Sequence, residues 1–117
     1  MKQYFTEVQK SDQTDDDVFL CGDFNRNVGD PGSLTELLTI PGMIDSTASD
    51  VPTTLGTFNT YDHLLFQTNF VTEYTGQHGV EKFDETLFSG NLQVAELECS
   101  DHRPVWVILK VPQQDDD

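Results

Sequence analysis

The sequence predicts a mixed α/β domain, richer in strand than in helix, around a mostly antiparallel sheet. Three observations carry that expectation. The runs "VFLC", "YDHLLF" and "VWVILKV" are apolar and of strand length. Helix signals are confined to short stretches, and turn formers such as "GDPGS" and "PG" punctuate the chain. A length of 117 residues with 36% hydrophobic residues suits one domain with one core.

Taken in order, Lys2 to Lys10 place Tyr4, Phe5 and Val8 at helical spacing, which predicts a short amphipathic helix. The acidic stretch Asp12 to Asp17 follows as a loop, and "VFLC" reads as a buried strand. Ser33 and Glu36 have capping-box spacing and predict a helix to about Ile40, stopped by Pro41-Gly42. "DSTASDVPTT" is a polar loop. "TLGTFNTYDHLLFQT" reads as two strands joined by a turn, and "FVTEYTG" as another strand, with His78 in an exposed loop after it. "VEKFDETLFSGN" is open between a loop and a helical turn, and "LQVAELECSDHRP" is a loop or short element. "VWVILKV" closes the domain, with Pro104 at its start, where a missing N–H is tolerated. "VFLC", "YDHLLF" and "VWVILK" are expected as neighbouring inner strands, with Trp106 in the core. Cys21 and Cys99 read as small buried hydrophobes, since two cysteines make neither a disulfide framework nor a zinc motif.

Formal net charge is −15, from 21 acidic and 6 basic residues. That argues against nucleic-acid binding through a broad basic face. It leaves room for a phosphate substrate held through a divalent cation, whose charge replaces the missing lysines. The acidic runs, including the tail, read as solvated. No apolar run approaches the ~20 residues of a membrane helix, so no membrane segment is expected. The N-terminus lacks a signal-peptide core, which fits a cytoplasmic protein or one secreted from a longer precursor.

Three segments set acids, amides and histidines at strand edges: "GDFN" (Gly22 to Asn25), "YDHLLF" (Tyr61 to Phe66) and "SDHRPVWVIL" (Ser100 to Leu109). Asp and Asn are poor sheet formers but good ligands and hydrogen-bonders. "GDFN" by itself is also the signature of a strand-ending Asx turn. In this order the three segments resemble the endonuclease/exonuclease/phosphatase superfamily, and within it the DNase I-like branch. The resemblance runs from about Val18 to Leu109.

The resemblance implies half of a four-layer α/β sandwich, with residues 1–113 as the C-terminal half and 114–117 as an acidic tail. It implies a metal-dependent phosphodiester hydrolase, a nuclease of DNase I-like type, using Mg²⁺ (or Mn²⁺ or Ca²⁺). Asp23 would orient the attacking water and help hold metal, and Asn25 would hold water and a phosphate oxygen. Asp62 would accept a hydrogen bond from His102, which would face the scissile phosphate, and Asp101 would help bind the metal. The glutamate and first histidine of the family's N-terminal half have no counterpart here, so weak or absent activity of the chain alone is expected. Partners would be nucleic acid or another phosphodiester, and a missing N-terminal half or a second copy on the exposed sheet face. A phosphoinositide- or sphingomyelin-type phosphoesterase and a non-catalytic interaction fragment are the other readings. His63, next to Asp62, should point to the opposite face, in a packing or surface role. Arg103 is open between a phosphate contact and a surface salt bridge.

Overall fold

The computed structural model describes residues 1–11, 16–47 and 51–111. Among them the chain is a mixed α/β fold with antiparallel sheets. Helix α1 (Lys2–Ser11) leads to β1 (Phe19–Asp23), α2 (Ser33–Leu37), β2 (Met43–Asp45) and β3 (Asp62–Gln67). Then come β4 (Tyr74–Val80), α3 (Phe83–Thr86), α4 (Leu92–Glu98) and β5 (Val105–Leu109).

β3 is the centre of a three-stranded sheet of order β1-β3-β2. Its apolar "LLF" permits burial on both faces, and Leu65 and Phe66 are fully buried. Alternation puts His63, Leu65 and Gln67 on one face and Asp62, Leu64 and Phe66 on the other. The first face packs beneath the helices. Leu65 joins Phe5 of α1, Leu34 and Leu37 of α2, Ile40 and Met43 in the larger core, with Leu20 and Phe24 at its margin. Each of these large apolar side chains contributes about 1.5–3 kcal/mol on full burial. A smaller core joins Leu55, Phe83 of α3 and Ala95 of α4, with Phe88 beside it.

β4 and β5 pair antiparallel as a separate two-stranded sheet. β5 lies near β3 without pairing with it. The expected side-by-side set of three inner strands therefore reduces to β1 and β3. β5 is not an inner strand either: Trp106, Ile108 and Leu109 are 39%, 43% and 39% exposed. Trp106 lies across Gly79 of β4 and not in the core. A Cβ on Gly79 would come within 2.6 Å of the indole, so the ring takes the space that the missing side chain leaves.

Several local expectations change. The Ser33–Glu36 capping box does not form: Gly32 is the N-cap, with φ 133, and makes no side-chain cap bond. Ser33 is already inside the helix, whose regular part ends at Leu37 before an irregular turn into Pro41-Gly42. The "TLGTFNT" segment is a loop with one bridge, Thr54 to His102, and not a strand. "MID" forms the unexpected β2. It is too short for periodicity to show, and pairs with β3 from Met43↔Gln67 to Asp45↔Leu65. "LQVAELE" is a helix capped by Asn91, whose side chain accepts from the Val94 N–H. His78 sits within β4 and is exposed, its ring bonded to the Tyr74 hydroxyl. In α1 only Phe5 is buried, and Tyr4 and Val8 face outward. Cys21 and Cys99 are free and exposed, not buried, because both open onto the uncovered side of the fold. The acidic positions 12–15 and the tail 114–117 lie outside the described residues.

Candidate active site

Asp23 is the last residue of β1 and sits opposite Asp62, the first residue of β3. Antiparallel pairing thus sets two carboxylates side by side at one sheet edge. The chain then turns: the Asn25 N–H donates to Asp23 Oδ1 at 2.8 Å, and Asn25 adopts φ 51. This is the Asx turn that "GDFN" allowed, and the left-handed backbone suits Asn. It fixes one oxygen of Asp23 and leaves the other facing the site. Asn25 itself is exposed beside it.

His102 reaches the same edge from the segment before β5. Three anchors against the 53–55 loop hold that segment. The Leu55 N–H donates to the Asp101 carbonyl at 2.9 Å, the Arg103 N–H donates to the Thr53 carbonyl at 2.6 Å, and Thr54 bridges His102. The His102 N–H also donates to Ser100 Oγ at 3.0 Å.

The imidazole Nδ1 donates to Asp62 Oδ2 at 2.7 Å. The buried Thr53 hydroxyl donates to the same oxygen at 2.7 Å. Thr53 Oγ1 in turn accepts from the Tyr61 and Asp62 N–H groups at 3.1 and 3.2 Å. Asp62 is therefore gripped from two sides, and the His102 ring orientation follows from it. The other ring nitrogen, Nε2, lies 3.9 Å from Asp23 Oδ2 and 4.0 Å from Asp101 Oδ1. The hydrogen bond to Asp62 raises the His102 pKa above its ordinary 6.5, and the charges of Asp62, Asp101 and Asp23 add to the rise. Partial burial opposes them without reversing the direction. The ring is thus biased toward the cation, with one N–H directed at open space flanked by carboxylates.

The structure brings Asp23, Asp62 and His102 together, with one ligand-type atom of each within 4.8 Å of the others. Asp101 lies at the rim, its side chain 76% exposed. Asp62 Oδ2 and His102 Nδ1 are taken up with each other, which leaves Asp23, the second oxygen of Asp62 and, at the rim, Asp101 as oxygen donors that could hold a cation. Mg²⁺ typically binds through one or two carboxylates while keeping several waters, a demand this donor set could meet.

Arg103 forms the salt bridge that the sequence left open, but a largely buried one and not a surface pair. Its guanidinium forms a two-point bond to Asp84 of α3, Nε to Oδ1 and Nη2 to Oδ2, each 2.8 Å, and Nη1 donates to the Pro52 carbonyl at 3.0 Å. That hydrogen-bonded guanidinium holds the Asp84 pKa below its ordinary value. His63 does point away from Asp62, and it is fully buried, in contact with Asp45 of β2. Sequence reasoning missed Thr53, Asp45 and Asp84. Only Asp45 left a signal: "MID", like "FLCGD", is an apolar run ending on an acid.

Beside the site, a hollow of about 430 Å³ is lined by Cys21, Leu64, Phe83, Cys99, His102 and Val105, among others. Among the described residues no helix is long and apolar enough to cross a membrane. Comparison of the chain with protein-family models, curated proteins and solved structures finds no match in any of the three.

Proposed function

We propose that this chain is the catalytic-histidine half of a metal-dependent phosphodiester hydrolase of DNase I-like type. The observation that carries the reading is the convergence of a paired Asp62–His102 and the exposed Asp23 carboxylate, from three separate elements, at one exposed edge. Phosphoryl transfer asks for positioning and charge stabilisation, and these groups supply both.

In this reading the His102 Nε2–H hydrogen-bonds a phosphate oxygen and stabilises the charge that grows on it. Asp62 keeps the ring in place and cationic, and Thr53 keeps Asp62 in place. Asp23 and Asp101 would hold a divalent cation, which when bound would supply the positive charge that the chain lacks and polarise the phosphate. Asp23 also orients the attacking water, and Asn25 offers an amide to water and phosphate.

The same reading calls for a second layer. The molecule measures 21 Å along its shortest axis, about the depth of two packed layers. Trp106, Ile108 and Leu109 are partly exposed on β5 and Leu97 is 84% exposed on α4. These apolar groups fit a partner half or a second copy better than water.

The test is a Mg²⁺ titration of the chain followed by amide NMR, with plasmid nicking in parallel. Shifts centred on Asp23 and Asp101 are expected. So is nicking that appears on adding a superfamily N-terminal half and vanishes with EDTA or with His102→Ala. Absence of any Mg²⁺-induced shift at Asp23 and Asp101 would overturn the reading.

A further inference from the structure

The dipeptide Asp-His at the start of β3 serves two faces of one sheet. Asp62 turns toward His102. His63 turns the other way, into the helix-covered side, where its ring is fully buried. There Nδ1 lies 2.5 Å from Asp45 Oδ2, and Nε2 lies 2.7 Å from the backbone carbonyl of Arg26.

Both partners are acceptors. A carbonyl has no proton to give, so Nε2 must carry hydrogen. The other oxygen of Asp45 accepts from the Thr47 N–H at 3.0 Å and lies 2.8 Å from the Thr47 hydroxyl, which also reaches the Asp62 carbonyl at 3.0 Å. With Asp45 ionised, satisfying both acceptors takes hydrogen on both ring nitrogens, which only the imidazolium has. A buried cation next to a buried carboxylate is costly unless fully hydrogen-bonded, and here both ring nitrogens are used.

The Arg26 carbonyl gives this pair its consequence. Arg26 follows Asn25 and stands three residues after Asp23. The turn between them is pinned at its start by strand pairing of Asp23 with Asp62 and by the Phe24 N–H donating to the Tyr61 carbonyl at 2.8 Å. His63 pins its far end. The Phe24 ring packs edge-on against the His63 ring, centroids 5.6 Å apart, inside the same turn. Asn25, with its left-handed backbone, lies between the two pins.

We propose that His63 and Asp45 are a positioning pair for the Asp23–Asn25 turn, so that β3 orients both sides of the site at once. Asp62 steadies the phosphate-facing His102 on one face, while His63 steadies the metal- and water-holding turn on the other. The task of the turn comes from the hydrolase reading above. The tie to His63 does not depend on it.

No neutral side chain of similar size replaces this ring. Glutamine can donate to one of the two acceptors, but its carbonyl oxygen then opposes the other. Phenylalanine fills the volume and donates to neither. If His63 were only packing, His63→Phe would leave the turn in place.

The experiment compares wild type, His63→Gln, His63→Phe and Asp45→Asn by NMR, with Mg²⁺ as the probe. In wild type, the ¹⁵N-labelled His63 ring should show two exchange-protected N–H protons. This needs no variant, so it decides the matter even where a variant does not fold. Each folded variant should displace the Asn25, Arg26 and Asn27 amides. It should also weaken the Mg²⁺ response at Asp23 about 10–100-fold, the usual cost of losing a group that orients a ligand. A wild-type ring without a protected N–H proton on Nε2, or a folded His63→Phe with unmoved Asn25 and Arg26 amides, would overturn the inference. Wild type without any Mg²⁺ response would instead defeat the hydrolase reading, and the ring protons and turn amides would still decide the role of His63.

Discussion

Asp84→Ala takes two charge-assisted hydrogen bonds from Arg103 and leaves its guanidinium nearly buried. The side chains are 11% and 2% exposed, and the pair is two-point, with both contacts at 2.8 Å. What remains is the Pro52 carbonyl at 3.0 Å and Glu85, whose carboxylate is 3.8 Å away on a side chain 57% exposed. Removing one partner of a buried ion pair costs about 3–5 kcal/mol, because the other charge stays behind unpaired. Glu85 and water offset part of that, so about 3 kcal/mol is expected. Against a total of about 5–15 kcal/mol for a domain this is a large loss. With a urea m-value of about 1–3 kcal/mol/M the unfolding midpoint should fall by about 1–3 M. The double variant Asp84→Leu/Arg103→Met should recover most of it, since apolar replacement of a whole buried pair is often neutral.

The pair also has a pH signature. The Asp84 pKa is depressed in the folded chain, chiefly by the hydrogen bond from Arg103, so its stabilisation is complete above the ordinary value of 3.8. It is lost as pH falls through the lower, folded value, and the gap between wild type and Asp84→Ala should close there. Because Arg103 holds the Pro52 carbonyl and, through its N–H, the Thr53 carbonyl, Asp84→Ala should also disturb the His102 ring signals. A loss below about 1 kcal/mol, typical of exposed pairs, with unmoved His102 signals, would refute the reasoning.

Asp62→Asn should lower the His102 pKa, since the bond to Asp62 is the first cause of its rise; an unchanged NMR titration would count against the pairing as the source. Thr53→Val keeps the shape but takes from the half-buried Tyr61 and Asp62 N–H groups the acceptor they share, and should cost about 1–3 kcal/mol in urea unfolding. Light scattering should show association that grows with concentration or a tight complex with a complementary half, and a clean monomer at all concentrations would contradict the second-layer reading. The chain alone should nick plasmid DNA poorly with Mg²⁺, and robust EDTA-sensitive nicking lost in His102→Ala would show that the proposed second half is dispensable.

Much of the fold was legible where composition and length agree. β3 and β5 are apolar runs of strand length, and α1 has helical spacing over Lys2–Ser11. What failed was settled by neighbours. β2 has three residues and exists because β3 offers it an edge. Ser33 and Glu36 have the right spacing for a capping box, yet Gly32 takes the cap position by its backbone geometry. Trp106 looked like core because large aromatics usually are. Its place over Gly79 depends on a register between β4 and β5 that single-sequence patterns do not encode.

At the site, the residues that converge were legible and their support was not. Asp23, Asp62 and His102 stand out because acids and imidazoles at strand ends need a reason. Thr53, Asp45 and Asp84 sit in ordinary polar stretches, and their value lies in what they touch. Yet the sequence holds a clue that alternation makes readable. "DH" occurs twice, at Asp62-His63 and Asp101-His102. Within β3, neighbours must face opposite ways, so Asp62 and His63 cannot pair with each other, and each needs a partner from elsewhere. Asp62 finds His102, and His63 finds Asp45. Each histidine ends with a carboxylate on Nδ1, yet the second nitrogens differ in kind. His63 Nε2 is bonded to a backbone carbonyl in the interior, whereas His102 Nε2 faces open space between two carboxylates. A ring whose last N–H is taken up can hold its neighbours in place, and a ring whose last N–H is free can meet a ligand. That difference suits His63 to support, and it is what the proposed phosphate contact asks of His102.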